Sequence, residues 1–256
     1  MNMKTQFEKI YVLSLITNKD RQNFIKYQFN KLGIDFEFIY GVDYYNFSNI
    51  QYPDVYKNTG LNFSYSQNLA KNYGCAMTHY QAVLQAYYLG YNNVLIFEDD
   101  VCMNTNMSLL KDMLNNIPED ADFVTFDFRQ DEDNEKKHIQ YINDNKDKKY
   151  VLTNAGYFSG GAMYAIMNRK SMKLYLDNQH KNIVMSDWVK DFWTVSSLKK
   201  YIPTKCLCVC QPYYKKIFIN NDNKFIPYNG NLFFRLGKYS KIDFFEPKIF
   251  QEYTRL

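Results

Sequence analysis

The sequence has no apolar run approaching the roughly 20 residues that a membrane-crossing helix needs, so no segment of it reads as a span. Its N-terminus, Met1 to Lys9, lacks the apolar centre of a secretory signal, and the expected setting is the cytoplasm. Cysteine is scarce. The five present (Cys75, Cys102, Cys206, Cys208 and Cys210) are odd in number and lack framework spacing, which argues against a disulfide scaffold. Cys206, Cys208 and Cys210 alternate along an apolar segment and are expected to share one strand face as small buried side chains. A zinc site there needs further ligands, and no second cysteine pair or histidine cluster accompanies them. Net charge is also small: 31 bases against 27 acids leave +4, too little to argue for a nucleic-acid partner. There is no internal repeat and no clean domain linker.

Aromatic residues are abundant. The 24 Tyr and 20 Phe lift the aromatic share to 18%, enough to build a core dominated by ring contacts. The 256 residues allow one large domain, or a domain with a small appendage. Lys9 to Leu15 reads as a first strand, Asp20 to Leu32 as a helix capped by Gly33, and Asp35 to Tyr40 as a second strand. A parallel pair with a right-handed crossover is the expected result. Asp43 to Gln67 has no period and reads as a long loop. Asn72 to Leu89 carries an apolar stripe (Ala76, Met77, Tyr80, Val83, Leu84, Tyr87) and reads as a helix ended by Gly90.

Further helices are expected at Met107 to Asn116 and Asn168 to Asn178, and strands at Asp122 to Phe128, Gly160 to Ile166 and Lys205 to Val209. Asp131 to Lys149 is charged and aperiodic, either a solvated excursion or a lid that orders on substrate. The alternation of strands and helices gives an α/β fold with a mostly parallel central sheet flanked by helices.

The chemistry concentrates where the apolar run Val94 to Phe97 ends in Glu98, Asp99 and Asp100. Four apolar residues bounded by polar ones read as a buried strand, and open α/β sheets bind ligands at the carboxyl ends of strands. Strand alternation puts Glu98 and Asp100 on one side and Asp99 on the other. Two converging carboxylates suit a hard divalent cation such as Mn²⁺ or Mg²⁺, and a solvated acidic turn is the plainer alternative.

Several blocks together resemble glycosyltransferase family 25, the lipooligosaccharide and collagen galactosyltransferase group. They are Ile10-Tyr-Val-Leu-Ser-Leu15 with Arg21, Gly74-Cys-Ala-Met-Thr-His79, Phe97-Glu-Asp-Asp-Val101, Asp122-Phe-Val124, Gly160-Gly161-Ala162, Ser186-Asp187-Trp188 and Gln211-Pro212. Ser14 stands where the family usually has Asn, and Thr78 where it usually has Ser. The resemblance implies a GT-A-like nucleotide-diphospho-sugar fold over residues 1–215 and a metal-dependent, inverting transfer. The implied donor is a UDP-sugar, often UDP-galactose, and the implied acceptor a glycan or glycolipid of surface polysaccharide or lipooligosaccharide.

On that resemblance the roles distribute as follows. Asp100 and Glu98 are the expected metal ligands, with Glu98 or Asp99 alternatively on the ribose or a metal-bound water. Arg21 is placed to reach a pyrophosphate with its planar fork of donors. Ser14 joins the donor site, and so does His79 on the resemblance, although a lone histidine on an apolar-striped helix also suits a packed, hydrogen-bonded core position. Gly160 and Gly161 let the backbone approach either the donor or a neighbouring strand. Asp187, beside Trp188, is the candidate base, with Asp191 as its substitute, although an aspartate there also suits a helix N-cap.

Residues 216–256 read as a C-terminal extension. From Lys224 to Leu256 it carries six bases against three acids, interleaved with Phe and Leu, and either packs on the domain or rests peripherally on the inner face of a membrane. Two rival classes remain. Another metal-dependent nucleotide-using transferase would want a Gly-rich phosphate loop, which is missing. A non-catalytic glycan- or nucleotide-binding relative would tolerate a broken acidic block, which is intact.

Overall fold

A computed structural model describes residues 6–41, 63–103, 105–126, 144–145, 147–152, 163–182, 198–205, 207–210, 218–219 and 225–226. The opening is β1 (Lys9–Leu15), α1 (Lys19–Leu32) and β2 (Glu37–Gly41), and β1 and β2 pair in parallel as expected. Helix α1 stops for a definite reason. Gly33 takes the left-handed conformation (φ 65°), its N–H donates to the Asn30 carbonyl, and Ile34 N–H reaches back to Phe29. Both bonds satisfy carbonyls that the helix end would orphan, and buried Ile34 supplies the accompanying apolar contact.

Helix α2 (Phe63–Tyr88) ends the same way at Gly90 (φ 86°), but it begins nine residues earlier than its apolar stripe indicates. Phe63 to Gln67, assigned from sequence to a loop, are its first turns; 43–62 lie outside the described residues. The strand β3 (Val94–Glu98) follows, then the short β4 (Val101–Met103), α3 (Met107–Leu114), β5 (Phe123–Thr125), β6 (Tyr150–Leu152), β7 (Met163–Ile166), α4 (Arg169–Asn182), β8 (Lys200–Pro203) and β9 (Cys208–Cys210). A two-stranded hairpin, β10 (Phe218–Ile219) and β11 (Phe225–Ile226), is the described part of the C-terminal extension. No helix among the described residues is long and apolar enough to cross a membrane.

Seven strands form one sheet in the order β2-β1-β3-β7-β5-β8-β6. The sheet is mixed. Strands β2, β1 and β3 pair in parallel, as do β5 and β8, but β7 lies antiparallel between β3 and β5, and β6 antiparallel beside β8. Strands β2, β1, β3, β5 and β8 thus run one way and β7 and β6 against them, so half of the six pairings are antiparallel and the sheet is mixed where a mostly parallel one was expected. Alternation along β1 and β3 sorts the core into two layers. Val12, Leu95 and Phe97 face α1 and α3, while Tyr11, Leu13, Val94 and Ile96 face α2 and α4. Phe29 fills the first layer, edge-on to Phe97 at 4.8 Å between ring centroids.

The ribbon after the acidic block has an unusual support. Strand β4 pairs along one edge with β9, and at the other edge the buried Gln28 side chain of α1 takes the place of a strand. Its amide nitrogen donates to Val101 O (2.9 Å) and its amide oxygen accepts from Met103 N–H (3.0 Å). Gln28→Ala orphans two buried backbone groups at about 1–3 kcal/mol each. The expected loss is about 2–5 kcal/mol in urea unfolding, and Gln28→Leu, which restores volume but no hydrogen bonds, is expected not to recover it.

The block Asp122-Phe-Val124 also finds a structural role. Asp122 accepts from Asn168 Nδ2 (2.9 Å), Ser171 Oγ (3.1 Å) and Lys199 N–H (2.9 Å), tying the start of α4 to β8.

Candidate active site

The sequence leaves β1 through α1 to reach β2 on one side and returns through α2 to β3 on the other. The carboxyl ends of β1 and β3 are therefore a topological switch point, where an open α/β sheet leaves a crevice for ligands. Register pairs Leu13 with Glu98, so Ser14, at the end of β1, lies level with Asp99, just past β3.

Asp99 is the hub on the α1 side. Its Oδ2 accepts from Ser14 Oγ (2.8 Å) and Asn18 Nδ2 (3.1 Å), and its Oδ1 accepts from Arg21 Nη1 (2.7 Å). Only 8% of the aspartate side chain and 19% of the arginine side chain are exposed, so little solvent screens the pair. Asn18 occupies the N-cap position of α1 yet makes no capping bond; its amide is committed to Asp99 instead. Gln22 completes the network, donating to Leu15 O (2.7 Å) and Ser14 Oγ (3.3 Å). Asn18 and Gln22 are not among the candidate residues expected from sequence. A signal existed for the second: Gln22 continues the Ile25, Phe29, Leu32 stripe, and a polar residue on a core-facing stripe must find a buried partner.

Glu98 turns the opposite way, towards α2. His79 Nε2 lies 3.2 Å from Glu98 Oε1, and His79 Nδ1 lies 2.7 Å from Tyr164 Oη of β7. Burial, then the neighbouring Tyr175, Glu98 and Cys75, hold the Tyr164 phenol far above its ordinary pKa, so it remains an O–H group. In the neutral imidazole, Tyr164 donates to Nδ1 and Nε2–H donates to Glu98. Tyr164 is fixed in turn by stacking on Phe123 at 5.3 Å. Cys75, one turn before His79 on α2, brings its thiol into the same group; the Cys75, His79 and Glu98 ligand atoms all lie within 4.8 Å of one another.

The acidic block is thus divided. Asp99 is committed to Arg21, Glu98 to His79, and Asp100 stands partly exposed in the turn before β4. The expected separation of Glu98 from Asp99 is present. Ser14, Arg21 and Asp99 come together, as do His79 and Glu98, while Gly160, Gly161, Asp187 and Asp191 lie outside the described residues.

Compared with known families, residues 7–190 match the model of glycosyltransferase family 25 (LPS biosynthesis protein), well over half of the 256 residues. The chain belongs to that family. As a family 25 glycosyltransferase it takes a nucleotide-sugar donor and a glycan acceptor. The matched span holds both side-chain clusters and Asp187, and it stops one residue short of Asp191. No curated protein matches the chain.

Proposed function

We propose that this glycosyltransferase transfers a sugar with inversion, galactose from UDP-galactose being the leading donor, to a glycan or glycolipid acceptor in surface polysaccharide or lipooligosaccharide assembly. The reading is supported by one juxtaposition above all. At the switch point, the Arg21 guanidinium at the start of α1 is held by Asp99 just past the end of β3, with Glu98 and Asp100 its chain neighbours, so a group for an anion and groups for a cation lie at the same carboxyl end of the sheet. A helix N-terminus adds its partial positive charge to Arg21 in favour of a diphosphate. A GT-A-like arrangement is in keeping with the α/β sheet.

Oxygen donors at Glu98 and Asp100 fit a hard cation such as Mn²⁺ or Mg²⁺; Asp99 fits poorly, because both its oxygens already accept hydrogen bonds. When bound, such a cation supplies positive charge for the departing nucleoside diphosphate. Asp99 serves this scheme indirectly, by holding Arg21 against the crevice. The bond to Asp99 uses one of the guanidinium's five N–H donors. Ser14 and Asn18 hold Asp99 in turn, and Gln22 holds Ser14. Asp187 takes the proton of the attacking acceptor hydroxyl, with Asp191 its substitute. Gly160 and Gly161 allow close backbone approach to the donor. His79 orients Glu98. The basic, aromatic extension from Lys224 fits contact with an anionic membrane surface, where a lipid-linked acceptor resides.

Calorimetry with UDP, GDP and ADP, each with and without Mn²⁺, tests the donor, and a hydrolysis screen across UDP-sugars identifies the sugar. Tight binding of UDP only when Mn²⁺ is present is the expected result; equal binding of all three nucleotides, or none, defeats the reading. Asp100→Asn is expected to cut transfer by about 10²–10³-fold and to abolish the Mn²⁺ dependence of UDP binding. Full activity in that variant removes Asp100 from the metal site.

A further inference from the structure

The cluster of Cys75, His79 and Glu98 is more than a support for one acid. We infer that these three side chains form a site for a thiophilic divalent cation, zinc being the biological ion of that class. Four observations converge. Cys75 and His79 are four residues apart on α2, so they project from the same face one turn apart. Their ligand atoms and that of Glu98 all lie within 4.8 Å of one another, and the histidine and glutamate atoms are already at 3.2 Å. Ligands on a tetrahedral zinc stand about 3.3–3.7 Å apart, given bonds of roughly 2.0–2.3 Å. The cluster therefore closes with a small movement of the thiol.

His79 is also supported on the far side of its ring. A metal-bound imidazole nearly always gives its other N–H to a fixed acceptor. Here the ring is buried and Tyr164 Oη sits 2.7 Å from Nδ1; when Nε2 holds the ion, the ring proton moves to Nδ1, the phenol turns its own O–H away, and Tyr164 Oη becomes the acceptor. Cys75 and Glu98 are only partly buried, which leaves a side open for entry. One sulfur, one nitrogen and one oxygen make a donor set that favours zinc over manganese or magnesium. Three protein ligands leave a fourth position for water. Binding converts the Cys75 thiol to thiolate and releases its proton to solvent. The inference does not rest on the sugar-transfer reading, and it is tested without substrates.

Cobalt is the probe. The full-length protein, stripped with a chelator and titrated with Co²⁺, is expected to develop a thiolate-to-cobalt charge-transfer band in the near ultraviolet. Cys75→Ser, close to isosteric, is expected to lose it. In the unaltered protein, Zn²⁺ is expected to slow iodoacetamide alkylation of Cys75, read by peptide mass spectrometry, by about tenfold or more, as thiolate chemistry requires a ligand-free sulfur. A band absent from the parent protein, a band unchanged in Cys75→Ser, or alkylation of Cys75 indifferent to Zn²⁺ each overturns the site. The alkylation arm needs no variant, so a folding failure in Cys75→Ser leaves the question answerable.

Discussion

Arg21→Ala is expected to lower transfer by about 10²–10³-fold and to weaken UDP binding, while leaving a folded protein. The electrostatic loss has two parts. A diphosphate loses a charged, forked donor, and a charge-assisted hydrogen bond contributes roughly 1.5–3 kcal/mol. Asp99 also loses the cation that compensates its burial. Removing one partner of a fully buried pair costs roughly 3–5 kcal/mol. The cost here is expected to be about 2–3 kcal/mol, because Ser14 and Asn18 still donate to Asp99. Urea unfolding measures the second part and calorimetry with UDP the first.

Arg21→Lys separates them further: it keeps the charge and so most of the stability, but it loses the fork. A folded Arg21→Ala protein that binds UDP as the parent does would remove Arg21 from the donor site. Asp99→Asn is the companion variant. Its effect on UDP binding is expected to be nearly absent in an Arg21→Ala background, since the aspartate acts through the arginine.

Asp187→Asn is expected to give the larger fall in turnover, about 10²–10⁴-fold, with UDP affinity close to that of the parent. An inverting displacement needs a group to accept the acceptor's hydroxyl proton, and an amide cannot do so. The two variants therefore split cleanly. On the proposed roles, Arg21→Ala is expected to act on donor binding and Asp187→Asn on the chemical step. Asp187→Asn should also erase the acidic limb of the rate profile against pH, because a carboxylate base is active only when ionised. Collapse of UDP binding in Asp187→Asn would instead make it a donor ligand and transfer the base role to Asp191, which the same assay on Asp191→Asn examines.

The parts of the fold that were legible in the sequence are those with a long signal. The apolar run of β3, the stripe of α1 and the glycines at 33 and 90 each fix an element, and the chain obeys them. The first turns of α2 were not legible, because Phe63 to Lys71 is mostly polar and carries no stripe. Strands β4 and β8 are too short for a period to emerge, and they exist because partners elsewhere in the chain complete them. Strand direction leaves no mark on composition, so the antiparallel insertion of β7 was invisible. At the site, alternation separated Glu98 from Asp99 correctly. What alternation does not show is where each acid goes. That depends on Ser14, Asn18 and Arg21 converging from the first crossover, and on His79 arriving from a helix whose place follows from topology.

Among the described residues, every side-chain donor that meets Asp99 comes from one continuous stretch, the end of β1 and the first turn of α1. That stretch and the aspartate behave as a lock and its key cut from distant parts of the gene. A chimera that exchanges the first β-α unit with a relative carrying asparagine at position 14 imports a different lock. It should misfit unless the acidic block is exchanged with it, and exchanging both together should restore what either swap alone removes.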